Sequence, residues 1–132
     1  MNLRQGDVPD HPRFRKCVRM TILIVDDSGS MRRILLRAVR KGAEQVWECA
    51  DGAGALAAYI AHSPDVVLMD INMPQLDGLA ATRQIVQFDP AARIVMVTDY
   101  DDEELRIAAR RAGASGYVLK QDLSDLEAIL GL

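Results

Sequence analysis

The sequence predicts an α/β fold, a doubly wound sheet of five parallel strands in the order 2-1-3-4-5 with helices on both faces. Two observations predict it. From Thr21 onward, short apolar runs alternate with stretches of helical spacing, five βα units in all. The runs are also apolar throughout rather than every second residue, as strands covered on both sides must be.

The elements follow in order. Thr21 to Val25 (TILIV) is a β-branched and aliphatic strand. Met31, Ile34, Leu35, Ala38 and Val39 then fall on one helical face. Ser28 or Ser30 can cap that helix, and Gly42 suits its end. Gln45 to Ala50 carries Glu48 among apolar residues, as an edge strand does. Asp51-Gly52 turns the chain into an alanine-rich helix that runs to about His62, before Pro64. Asp65 to Asp70 (DVVLMD) is the third strand, and a helix reaches about Phe88, where Asp89-Pro90 breaks it. Arg93 to Thr98 is the fourth strand. Asp101 to Ala112 reads as a helix with four acidic residues in its first turn. Gly116 to Lys120 is the fifth strand and Leu123 to Leu130 the last helix.

Composition narrows the function classes. The 132 residues suit one domain over residues 20–132, preceded by a flexible extension over residues 1–19. A net charge of −3 gives no global attraction to nucleic acid or to an anionic membrane. The basic cluster Arg13, Arg15, Lys16 and Arg19 reads as part of the extension, which lacks the apolar core of a secretory signal. No apolar run approaches the ~18 residues that span a bilayer. Cys17 and Cys49 lack metal-ligand spacing and suit reduced thiols in the cytoplasm. His11 and His62 have no companion for a metal site. Met69 and Met96 are core candidates, and Trp47 suits the sheet edge. Asp101 to Glu104 reads as a solvated helix start, and Ile107, off the apolar stripe of its helix, as an exposed apolar residue.

Ligands of such sheets bind outside the carboxyl ends of the strands, where strand order reverses. The residues at those ends are Asp26 and Asp27, Asp70, Thr98 and Lys120, while strand two ends in Ala50. Three neighbouring carboxylates repel one another unless a cation compensates. An all-oxygen donor set suits Mg²⁺. A carboxylate beside Mg²⁺ and a lysine is placed to accept a phosphoryl group.

With these residues in view, the sequence resembles the receiver domain of two-component response regulators, flavodoxin/CheY-like in fold, from Thr21 to Leu130. ILIVDDS (22–28), ADG (50–52), PDVVLMDINMPQLDG (64–78), Thr98 and GASGYVLK (113–120) carry the resemblance. DDSGSMRR (26–33) is similar to chemotaxis-type single-domain receivers. The resemblance implies that Asp70 is the phosphoacceptor. It implies Mg²⁺ held by Asp26, Asp27, Asp70 and the backbone carbonyl of Asn72. Lys120 would contact the phosphoryl group, Thr98 would move toward it, and the Tyr117 rotamer would follow.

The implied partners are a sensor histidine kinase and a downstream protein that meets the fourth helix, fifth strand and fifth helix, with room for a phosphorylation-linked homodimer. The only implied catalysis is the domain's own phosphorylation and dephosphorylation. Other readings are a relay to a histidine phosphotransfer protein, a constitutive binding module, and a Mg²⁺-dependent phosphatase, whose general acid would have to stand at Asn72. Two positions depart from the family pattern. Asp99 follows Thr98 where Ala or Gly is usual, and Gln121 follows Lys120 where a cis proline is common. A trans bond is expected before Gln121, because a cis bond to a non-proline costs ~2.5–4 kcal/mol.

Overall fold

Runs of residues that cannot satisfy water become the strands at the centre of the sheet. In a computed structural model, which describes residues 20–132, β1 (Met20–Val25), β3 (Val66–Met69) and β4 (Ile94–Thr98) are buried almost throughout. The more polar β2 (Ala43–Cys49) and the short β5 (Gly116–Leu119) form the edges. All strands pair in parallel, in the order β2-β1-β3-β4-β5. The flexible extension expected over residues 1–19, with His11, Cys17 and the basic cluster, lies outside the described residues.

Successive strand residues point to opposite faces, so each strand feeds two cores. Ile22, Ile24, Val66, Leu68, Val95 and Val97 pack against α1 (Gly29–Val39) and α5 (Ser124–Leu130). Leu23, Val25, Val67, Met69 and Met96 pack on the other side. There they meet α2 (Ala55–His62), α3 (Gly78–Phe88) and α4 (Glu103–Ala112). No helix among the described residues is long and apolar enough to cross a membrane.

Caps set the helix boundaries. Of the two serines, Ser28 caps α1, accepting from the Met31 amide. Gly42 lies beyond the end of α1, and its amide donates to the Val39 carbonyl. The expected start of the fourth helix needs correction. Asp102 stays outside as the N-cap, accepting from the Leu105 amide, so only Glu103 and Glu104 stand in the first turn of α4. A short carboxylate is worth more as a cap than as a helical residue. Asp101 instead pairs with Arg106 at 3.0 Å.

Two smaller corrections concern side chains. Ile107 is half-buried rather than exposed, because it lines a groove between α3 and α4. His62 stacks on Trp47 at the sheet edge, with ring centroids 4.5 Å apart. β5 ends one residue early, and Lys120 opens a single 3₁₀ turn (Lys120–Asp122). No cis peptide occurs among the described residues, so the bond before Gln121 is trans as expected.

Candidate functional site

The pairing register assembles the site. Val25 lies opposite Met69, and Met69 opposite Met96. The residues after each strand therefore emerge side by side at the carboxyl edge: Asp26 from β1, Asp70 from β3, and Thr98 at the end of β4. The Asp70 amide donates to the Val25 carbonyl at 2.9 Å. Behind it, Gly78 opens α3 directly against the Asp70 backbone. A Cβ at Gly78 would lie 2.0 Å from the Asp70 carbonyl oxygen, so no larger residue fits there.

Asp26, Asp27 and Asp70 each present a carboxylate oxygen within 4.8 Å of the others. Asp26 and Asp70 are buried, and Asp27 is exposed. Lys120 reaches in from beyond β5, its Nζ 3.2 Å from Asp26 Oδ2 and 3.4 Å from Asp70 Oδ1. Asp26 Oδ1 is committed to the Ser28 amide, whereas Asp26 Oδ2 is inaccessible and has no well-formed hydrogen bond. Lys120 is its only ion-pair partner among the described residues.

The electrostatics follow from this crowding. Burial, reinforced by the charge of Asp26, pushes the Asp70 carboxyl up to about 6, against the opposing pull of Lys120. Burial works to lower the Lys120 ammonium, but the charges of Asp70 and Asp26 outweigh it and hold the group above its ordinary value. Three converging carboxylates with one ammonium between two of them fit a hard divalent cation, which would supply the missing positive charge.

The remaining expected residues stand around this centre. Thr98 is buried, and its hydroxyl accepts from the Tyr100 amide at 3.2 Å. The Tyr117 hydroxyl donates to the Tyr100 carbonyl at 2.6 Å, and Arg106 lies over the Tyr117 ring. Partial burial raises the Tyr117 phenol above its ordinary value. Asn72 is exposed, and its amide N–H points to Asp70 Oδ1 at 3.4 Å. Asp99 is exposed.

A family model of the response regulator receiver domain matches residues 22–130, which include all of these side chains. The chain belongs to the response regulator receiver family. Chemotaxis protein CheY of Bacillus subtilis is 43% identical over 111 residues, covering 82% of this chain and 92% of that protein. Chemotaxis protein CheY of Halobacterium salinarum is 41% identical over 99 residues, covering 75% of this chain and 82% of its own length. Among solved structures, a two-component response regulator of the LuxR family from Aurantimonas superposes with a TM-score of 0.81 at 38% identity, covering 86% of each chain. The CheX-CheY-BeF₃-Mg²⁺ complex from Borrelia burgdorferi superposes with a TM-score of 0.75 at 28% identity, covering 83% of this chain and 88% of that one. Receiver domains are signalling modules that bind Mg²⁺ through an acidic pocket, are phosphorylated by histidine kinases and bind downstream partners.

Two neighbours of this candidate site were not anticipated from the sequence. Arg32 Nη1 donates to the Asp26 carbonyl at 2.7 Å, and its Nε donates to Glu48 at 3.0 Å, which ties the β1–α1 loop to β2. The available signal was a basic residue near the start of α1, where the helix dipole disfavours it. Tyr100 is the other, with its hydroxyl 3.5 Å from Asn72 Nδ2.

Proposed function

We propose that Asp70 accepts a phosphoryl group from a sensor histidine kinase in a Mg²⁺-dependent reaction, and that the chain signals through phosphorylation-dependent protein contacts. The observation that carries this reading is Lys120 bridging the buried Asp26 and Asp70, whose carboxylates converge with that of Asp27. In the transfer, an Asp70 carboxylate oxygen forms the new bond to phosphorus as the bond from phosphorus to the donor imidazole nitrogen breaks. The electron pair of that bond stays on the imidazole. Asp26, Asp27 and Asp70, with the carbonyl of Asn72, would hold Mg²⁺, whose charge offsets that of the carboxylates and the incoming phosphoryl group.

The chain's own residues do the rest. Gly78 lets the start of α3 fix the Asp70 backbone, and the Val25 carbonyl fixes its amide. Lys120 already sits between two carboxylates and needs only a small shift to reach a phosphoryl oxygen. The Thr98 hydroxyl is held by the Tyr100 amide, whose carbonyl in turn receives the Tyr117 hydroxyl. A Thr98 that turns toward the phosphoryl group gives up the Tyr100 amide, and this frees the loop on which Tyr117 is anchored. The surface that changes is α4, β5 and α5, where a downstream protein would dock.

The test is incubation with a small acyl phosphate and Mg²⁺, followed by intact mass measurement. One phosphoryl adduct is expected, absent without Mg²⁺ and absent in Asp70→Asn. An adduct that survives Asp70→Asn contradicts the reading.

A further inference from the structure

Helix α4 carries a charge pattern that the receiver reading does not use. Its sequence from Glu103 to Arg111 is EELRIAARR, which places two acids and two arginines symmetrically about Ile107. At about 100° per residue, Glu103, Glu104, Arg110 and Arg111 all fall within about 60° of Ile107 on one face. The opposite face, with Leu105, Ala109 and Ala112, packs on the sheet. The four charged residues are exposed, and among the described residues none of them is in an ion pair. Each acid lies six to eight positions from either arginine, roughly 10 Å along the axis, too far to pair within one helix. The helix dipole accounts for acids first and arginines last. It does not account for a half-buried isoleucine at the centre of that face.

We propose that this face binds a second copy of the chain, with two α4 helices crossing antiparallel on a two-fold axis through Ile107. A half-turn about that axis sets Glu104 opposite Arg110 of the other copy, and Glu103 opposite Arg111 of the other copy. Ile107 meets its own counterpart at the centre. Such an isologous contact closes on itself. The flanking groove of about 420 Å³, lined by Arg83, Glu104, Ile107, Ala108 and Arg111, gives the other copy's Glu103 a second positive neighbour in Arg83. The contact is small and charged at its rim, so the dimer is weak, exchanges rapidly and is sensitive to salt. It requires neither Mg²⁺ nor phosphorylation.

Sedimentation velocity of the full chain over a concentration series, in chelator and at low salt, tests this. The expected result is concentration-dependent dimerisation that weakens at high salt. Glu103→Arg/Glu104→Arg and Arg110→Glu/Arg111→Glu should each self-associate at least about tenfold more weakly, through repulsion of like charges. An equimolar mixture of the two variants should recover the dimer as a heterodimer. A wild-type chain that stays monomeric at every concentration overturns the proposal. So does a dimer indifferent to salt and to both charge reversals, or a mixture of folded variants that stays monomeric.

Discussion

The two carboxylates that flank β3, Asp65 and Asp70, look alike in the sequence and serve opposite purposes. Asp65 Oδ2 accepts from the Thr21 amide at 2.8 Å and from the Thr21 hydroxyl at 3.1 Å, while its own amide donates back to Thr21. It is exposed and held through Oδ2 and its amide, and it staples the start of β3 to β1. Asp70, five residues later, is buried among like charges and pushed up to about 6. One end of the strand is satisfied by the fold; at the other, Lys120 only partly offsets burial and the charge of Asp26. On the proposed function, the structural carboxylate collects donors, whereas the phosphoacceptor is kept short of them.

The comparison breaks most sharply in function. Asp70→Asn should abolish adduct formation, while Asp65→Asn should form the adduct at the wild-type rate, as measured by intact mass over time. Next in size is Gly78→Ala, which drives a Cβ into the Asp70 backbone. It should cost about 3 kcal/mol, seen in urea unfolding, and slow adduct formation as well. Asp65→Ala should cost about 1–2 kcal/mol through the donors it strands at Thr21, with adduct formation unchanged.

The smallest effect has the opposite sign. A carboxyl raised from 3.8 to about 6 contributes stability that is full below pH 3.8 and is lost as pH rises through about 6. The Mg²⁺-free chain should therefore carry a stability deficit at pH 7 that Asp70→Asn lacks. The site opens to solvent through Asp27, which screens the interaction, so the gain should be about 1 kcal/mol. Thermal unfolding in chelator at pH 7 and pH 4 checks it: Asp70→Asn should be the more stable at pH 7, and the advantage should shrink at pH 4.

Much of this contrast could be read from the sequence, for a physical reason. Strands buried on both faces tolerate no polar residue, so the places where TILIV, DVVLMD and RIVMVT stop are visible, and the strand ends are where the site lies. Boundaries set by side-chain hydrogen bonds were harder to see. Asp101 and Asp102 have the composition of a helix start, yet only the Asp102 bond to Leu105 shows where α4 begins. Contacts that need the β1–β2 register, such as Arg32 with Glu48 sixteen positions away, leave little trace in the chain. The same holds for Ile107, whose half-buried state depends on the groove that α3 forms beside it.

The central claim is that Asp70, and not its neighbours, becomes phosphorylated. The direct test is borohydride reduction after treatment with an acyl phosphate and Mg²⁺, which converts an aspartyl phosphate to homoserine, followed by peptide mapping. Homoserine at position 70 alone is the expected result. Homoserine at position 26, 27 or 65, or at none of them, would contradict it.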